Sequence, residues 1–273
     1  MDQPISTHKH DSIICAVDYS SSGDHLAVGD RDGGVTIFHP TTLAVIHCLT
    51  LQDEVVTVAY SPDGKYLAAG GNDYMVTVFQ TSDFQMIYQK TFDDNVYTIC
   101  FAIDSKHMTV GLGKRVLNVD IVDDFAIIQQ IGKESGVFAL TYSPDGKSLL
   151  IGLFNRTIAV LNATDFTQIQ QAEVGHDVFS ISYSLTGKYI AVGSKDKTII
   201  YEVGNLHQIK VYEREGSNRT AFHPDGTTLT IIANYDNINH LDTSEWNDDT
   251  GKAIYKCYYF ICPSTSGYCQ FIL

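Results

Sequence analysis

Basic residues are scarce: 18 Lys and Arg stand against 32 Asp and Glu in 273 residues, a formal charge of −14. Nucleic-acid binding rests on clustered cations that displace counterions from phosphates, so a phosphate-backbone ligand is excluded as an expectation. Long apolar runs are also missing. The opening MDQPISTHKHD has no apolar core of the kind a secretion leader requires, and no later stretch approaches the ~20 apolar residues that span a bilayer. The chain is therefore expected to be cytoplasmic, with a nuclear location left open and no membrane insertion. Without an export signal the sequons at Asn155, Asn162 and Asn218 carry little meaning.

Catalytic and metal-binding signatures are missing too. No GxSxG elbow, HExxH pair or phosphate-binding loop occurs. Cys15, Cys48 and Cys100 fall in apolar strand patterns, where a thiol packs as a small hydrophobe. Cys257, Cys262 and Cys269 lack CxxC spacing and a neighbouring His, so they make a poor zinc site. No cofactor and no metal are expected. Helical periodicity is likewise absent, because no segment keeps a 3.6-residue apolar period long enough to form a helix.

What the chain has is a repeat. An aromatic returns at Tyr19, Tyr60, Phe101, Tyr142, Tyr183 and Phe222, with gaps of 41, 41, 41, 41 and 39. Gly29, Gly70, Gly111, Gly152 and Gly193 keep the same step. So do the apolar pairs Ile14/Val17, Val55/Val58, Val96/Ile99, Val137/Leu140 and Val178/Ile181. Registers that stay in phase at this period mark a repeat architecture. The second copy reads as strand EVVTVAY, turn SPDG, strand KYLAAGG, turn ND, strand MVTVFQ and, after TSD, strand FQMIYQK. Pro62 presets φ and Gly64 accepts positive φ, so Ser61 to Gly64 reverses the chain. The turn returns at Ser143 to Gly146 and His223 to Gly226. A four-stranded meander cannot bury both faces alone, whereas copies stacked about an axis can. The small residues Ala16, Thr57, Thr98, Ala139 and Ser180 suit innermost strands that crowd together.

These residues resemble the WD-repeat β-propeller family over roughly residues 10 to 255. The likeness is carried by SPDG, by AVGDRD (Ala27 to Asp32), AAGGND (Ala68 to Asp73) and AVGSKD (Ala191 to Asp196), and by the DKT at Asp196 to Thr198. The resemblance implies an all-β propeller of four-stranded antiparallel blades. Six repeats are recognisable, near 10–50, 51–91, 92–132, 133–173, 174–212 and 213–255, followed by an aromatic, Cys-rich tail at 256–273. Six blades, or a seven-bladed ring with an incomplete last blade, both fit, since seven copies of 41 would need 287 residues. In that family the turn aspartate is structural, which implies that role for Asp32, Asp73, Asp196 and Asp236. Asn155 and Lys114 take the slot in the fourth and third copies. The Trp-Asp ending is missing, and the Gly-His signal survives only as His10 and Gly175-His176.

The fold itself hosts both enzymes and scaffolds. Asp63, Asp145 and Asp225 recur once per repeat at a turn, as turn formers do. The resemblance implies an interaction role, with residues flanking each inner strand and preceding the turn aspartate lining a peptide-gripping face. The nominated partner-binding residues are Glu54, Val56, Tyr97, Phe138, Phe154, Asp177, Phe179, Lys195 and Tyr235. Large stiff aromatics with polar neighbours are what binding hot spots favour. Glu54 and Asp177 add negative charge, favouring a basic peptide or domain. The expected function is a non-enzymatic scaffold or adaptor inside a multiprotein complex. The alternatives are a propeller-based metal-dependent hydrolase with an axial site, and a truncated propeller without independent function.

Overall fold

The computed structural model describes residues 6–8, 10–40, 42–222, 228–233, 237–242 and 269–271, and every regular element among them is a β-strand. The chain divides into two compact units, residues 1–99 with 257–273 and residues 100–256. Among the described residues, strands β1 to β23 follow in chain order. β1 is Ser6–His8. A first sheet holds β2 (Ile14–Tyr19), β3 (Leu26–Asp30), β4 (Gly34–Phe38) and β5 (Val45–Thr50), in that order. A second holds β6 (Val55–Tyr60), β7 (Tyr66–Gly71), β8 (Met75–Gln80) and β9 (Met86–Thr91). The third and fourth repeat the plan, one with β10 (Val96–Phe101), β11 (His107–Leu112), β12 (Arg115–Asp120) and β13 (Ala126–Gly132), the other with β14 (Val137–Tyr142), β15 (Ser148–Leu153), β16 (Thr157–Asn162) and β17 (Gln168–Glu173).

The last large sheet departs from the plan. It has five strands: β18 (Val178–Tyr183), β19 (Tyr189–Glu202), β20 (His207–Phe222), β21 (Thr228–Ala233) and β22 (Asn237–Asp242). Residues 190–194 of β19 pair with β18, whereas 197–202 pair with β20, and Asp196 between them sits at φ 65°. β20 runs straight through 212/213, where the repeat count would divide two copies. GSNRTAF has no apolar first-strand pattern and no long turn to interrupt pairing, so one strand serves both. Finally, β1 pairs antiparallel with β23 (Cys269–Phe271), Ser6 opposite Phe271.

Turn chemistry explains the hairpins. The Ser61 carbonyl accepts the Gly64 N–H, the Ser61 hydroxyl accepts the Tyr66 N–H at 3.0 Å and itself donates to Asp63 at 2.7 Å, with Gly64 at φ 73°. Ser143 to Gly146 repeats each bond. His223 to Gly226 lies outside the described residues.

Sheet faces pack on the next sheet within each unit. Ala16, Ala27, Val35 and Ile37 of the first sheet share a core with Val55, Val58, Leu67 and Ala69 of the second. Leu150, Ile158 and Val160 meet Val178, Ile181, Ile190 and Val192 in the same way. The periodic glycines permit the approach: a Cβ on Gly70 would come within 2.5 Å of Val96 Cγ1, and one on Gly29 within 2.6 Å of Val55 Cγ1. Small inner-strand residues add bonds between sheets. Thr57 Oγ1 accepts the Ile99 N–H at 3.2 Å, and Ser180 Oγ accepts the Thr220 N–H at 2.8 Å. Asp18 does likewise for the Tyr60 N–H at 2.7 Å, and burial pushes its carboxyl from 3.8 up to about 8.

Two local readings change. FQMIYQK is not all strand: β9 opens at Met86, and Phe84 sits in a left-handed turn at φ 55° whose N–H bonds the Gln80 carbonyl at 2.8 Å. Leu43, Phe125, Phe166 and Leu206 are likewise buried in left-handed backbone, at φ 54°, 54°, 56° and 50°. Left-handed backbone costs a side-chain-bearing residue ~1–2 kcal/mol, and burying a large apolar side chain returns ~1.5–3 kcal/mol. The second change concerns the first repeat's turn aspartate. Asp32 is exposed, whereas buried Asp30 accepts the Asp32 and Gly34 N–H groups at 2.9 Å each and faces His10 Nε2 at 2.8 Å. Asp30 ends β3 inside the sheet, so its side chain reaches the turn's donors. A Cβ on Gly34 would strike that carboxylate. Elsewhere Asp73 accepts the Met75 N–H at 3.0 Å, Asp196 accepts the Gly216 N–H at 2.7 Å, and Asn155 accepts the Thr157 hydroxyl at 2.6 Å. Asp236 lies outside the described residues.

Candidate protein-interaction sites

One backbone bond recurs at the same end of the sheets. The residue before each turn aspartate, or its equivalent, donates to the residue before the inner strand: Arg31 to Ile13 at 2.9 Å, Asn72 to Glu54 at 3.0 Å, Phe154 to Gly136 at 2.9 Å and Lys195 to Asp177 at 3.1 Å. Two of the nominated position sets are thereby held side by side within single sheets. The third set, after the first apolar residue, holds Cys15, Val56, Tyr97, Phe138 and Phe179, all half-buried.

In the first unit, Glu54 gathers donors. Its Oε2 accepts from Asn72 Nδ2 at 2.9 Å, its Oε1 from Cys15 Sγ at 3.1 Å, and Arg31 Nε lies 3.8 Å away. Burial first, then the bond to Glu54, pushes the Cys15 thiol up to about 12. A thiol so held stays protonated and is no nucleophile near neutral pH. Val56 and Tyr97 occupy matching positions on β6 and β10.

In the second unit, the rings of Phe138 and Phe154 meet edge to face. Phe154 is 44% exposed, and the space its ring occupies depends on Gly136, whose Cβ, were there one, would come within 2.6 Å of Phe154 Cδ2. Arg156 Nε stands 3.5 Å from Asp177 Oδ1. Both are partly exposed, so the pair contributes ~1 kcal/mol at most. Phe179 lies on β18 at the position Phe138 holds on β14, and Lys195 is exposed. The structure thus joins Phe138 with Phe154 and Asp177 with Lys195. Tyr235 lies outside the described residues. Arg156 was not nominated from sequence, because it follows the repeat's turn slot rather than preceding it.

The family model described as WD domain, G-beta repeat matches residues 2–39, 44–80 and 168–201. These three segments are WD repeats. Its four-stranded antiparallel sheets are blades of the WD40 kind, and WD40 repeats serve generally as protein-interaction scaffolds, in a family that is typically non-enzymatic. A comparison with curated proteins returns no match. Among the described residues of this WD-repeat protein, no three His, Cys, Asp or Glu side chains gather closely enough to hold a metal ion, and no helix is long and apolar enough to cross a membrane.

Proposed function

We propose that this WD-repeat protein is a non-enzymatic adaptor that docks a peptide or partner domain on the blade ends described above, as a member of a cytoplasmic multiprotein complex. The observation that carries the reading is Phe154, an exposed ring set edge to face on half-buried Phe138. Stiff rings with a pre-set orientation lose little entropy on binding, and such side chains are enriched among hot spots.

The test is affinity capture followed by titration of a purified captured protein against wild type and Phe154→Ala. The variant is expected to bind at least about tenfold more weakly, the loss that defines a modest hot spot, while unfolding at the wild-type temperature. Equal affinity for both proteins refutes the reading.

A further inference from the structure

Of the first five copies, only the fourth has both a glycine before its inner strand and an aromatic before its turn. The two positions are filled by Ile13 and Arg31, Glu54 and Asn72, Asn95 and Gly113, Gly136 and Phe154, and Asp177 and Lys195. Where both carry polar side chains these can bond each other, as Asn72 Nδ2 does with Glu54 Oε2 at 2.9 Å. In the fourth copy no side chain stands at 136, and the Phe154 ring lies over the bare backbone instead.

Backbone conformation is not what glycine supplies there. The φ of Gly136 is not in the left-handed range that Gly146 and Gly175 adopt, so alanine fits the same backbone. What glycine supplies is room. A Cβ at 136 would come within 2.6 Å of Phe154 Cδ2 but only within 3.5 Å of the Gly113 carbonyl, so the ring alone would have to yield. The Phe154 N–H, bonded to the Gly136 carbonyl at 2.9 Å, fixes the backbone from which that ring springs. Phe138 is the extra residue of a β-bulge between Val137 and Ala139, a feature that re-aims a side chain, and its ring meets that of Phe154 at 83°. A missing Cβ, a backbone bond and a bulge thus set one pair of rings.

The charges around the rings balance. The neighbouring turns and connections of the second unit carry Lys114, Lys133, Arg156 and Lys195 against Glu134, Asp177, Asp196 and Glu215, with Arg156 and Asp177 3.5 Å apart. No net charge of either sign draws a charged group to the rings. We propose that Gly136 is the positioning residue of this site, holding Phe154 against Phe138 so that the two rings receive one uncharged apolar side chain, aliphatic or aromatic, of a partner peptide. This rests on the interaction reading above and adds what the rings accept and what orients them.

The full chain is panned against a random-peptide phage library, with counter-selection on Phe154→Ala, and the selected peptides are synthesised and titrated by fluorescence anisotropy. The expected winners share an apolar residue with no bias of charge around it, and their affinities should agree within about threefold between about 50 mM and about 500 mM NaCl. Gly136→Ala should unfold no lower than wild type, since alanine has less freedom to lose than glycine. It should bind the peptides about three- to tenfold more weakly, the cost of ordering one freed side chain. Added to Phe154→Ala, the same substitution should change affinity no further. A Gly136→Ala protein that binds as wild type does, or that unfolds below it, overturns the positioning role. An equal loss in both backgrounds shows that Gly136 meets the peptide itself and overturns that role too. Winners of one charge sign whose affinity collapses at high salt overturn the apolar assignment. All these results leave the interaction reading standing, whereas an absence of any Phe154-dependent winner overturns it together with this proposal.

Discussion

Phe84 tests whether the left-handed aromatic turns are strained. It is 7% exposed at φ 55°, with His47 stacked on its ring at 5.2 Å and His25 edge-on at 5.5 Å. Truncating a buried Phe to Ala costs ~3–5 kcal/mol. Truncating further to Gly ordinarily adds ~0.5–1 kcal/mol, because glycine has more freedom to lose. At positive φ, however, Gly escapes the ~1–2 kcal/mol that a Cβ incurs. Phe84→Gly should therefore be more stable than Phe84→Ala, by ~0.5–1 kcal/mol after the two opposing effects are set against each other. Phe79, 5% exposed on β8 of the same sheet, supplies the control, since its backbone is ordinary strand. There the order should reverse, with Ala the more stable by ~0.5–1 kcal/mol. Urea midpoints at an unchanged m-value measure both pairs. If Phe84→Gly proves less stable than Phe84→Ala, the turn is not strained, and the balance of burial against backbone cost drawn for Leu43, Phe84, Phe125, Phe166 and Leu206 is wrong.

Two further outcomes are expected. Asp18 has its carboxyl raised from 3.8 to about 8 by burial. The folded chain then holds a proton the unfolded one releases between about pH 4 and pH 8. Its contribution is full below pH 4 and fades as pH rises through that window. Asp18→Asn should flatten the decline, by up to ~1.4 kcal/mol per pH unit, in urea midpoints taken at pH 5 and pH 8; parallel declines would show that the group does not titrate there. Asp30→Ala leaves two backbone donors and His10 without their acceptor and should cost ~2–4 kcal/mol, whereas exposed Asp32→Ala should stay within ~0.5 kcal/mol. Thermal unfolding of the two variants checks the order.

The sheet plan was legible because its cause is periodic. Gly29, Gly70 and Gly152 recur where the next sheet's valine needs room, and a step of 41 survives substitution elsewhere in the copy. The turns were legible only where residue type and backbone agree. SPDG announces itself, since Pro and Gly prefer the dihedrals they adopt. Phe84 does not, because a phenylalanine in left-handed backbone contradicts its own propensity, and an apolar residue beside MIY reads as strand. DRD in the first repeat is ambiguous for another reason: two aspartates two residues apart both suit a turn, and only the burial of the β3 terminus assigns the bonds to Asp30.

Charge at the candidate site was the least legible feature, and the reason is geometric. Repeat register placed Asp177 beside an inner strand, but its neutralising partner Arg156 comes from the preceding blade's turn, 21 positions upstream, and neither residue marks the other. Counting acids by repeat position therefore overstates the negative field, since each acid is counted without the cation folded against it. The same blindness hides like-charged neighbours, because Lys114 and Lys133 become neighbours only through the backbone bond closing β12 against β13. An aromatic position can be inferred from periodicity alone, for it depends on one residue. The sign of a binding field cannot, for it is a difference between charges brought together from separate turns.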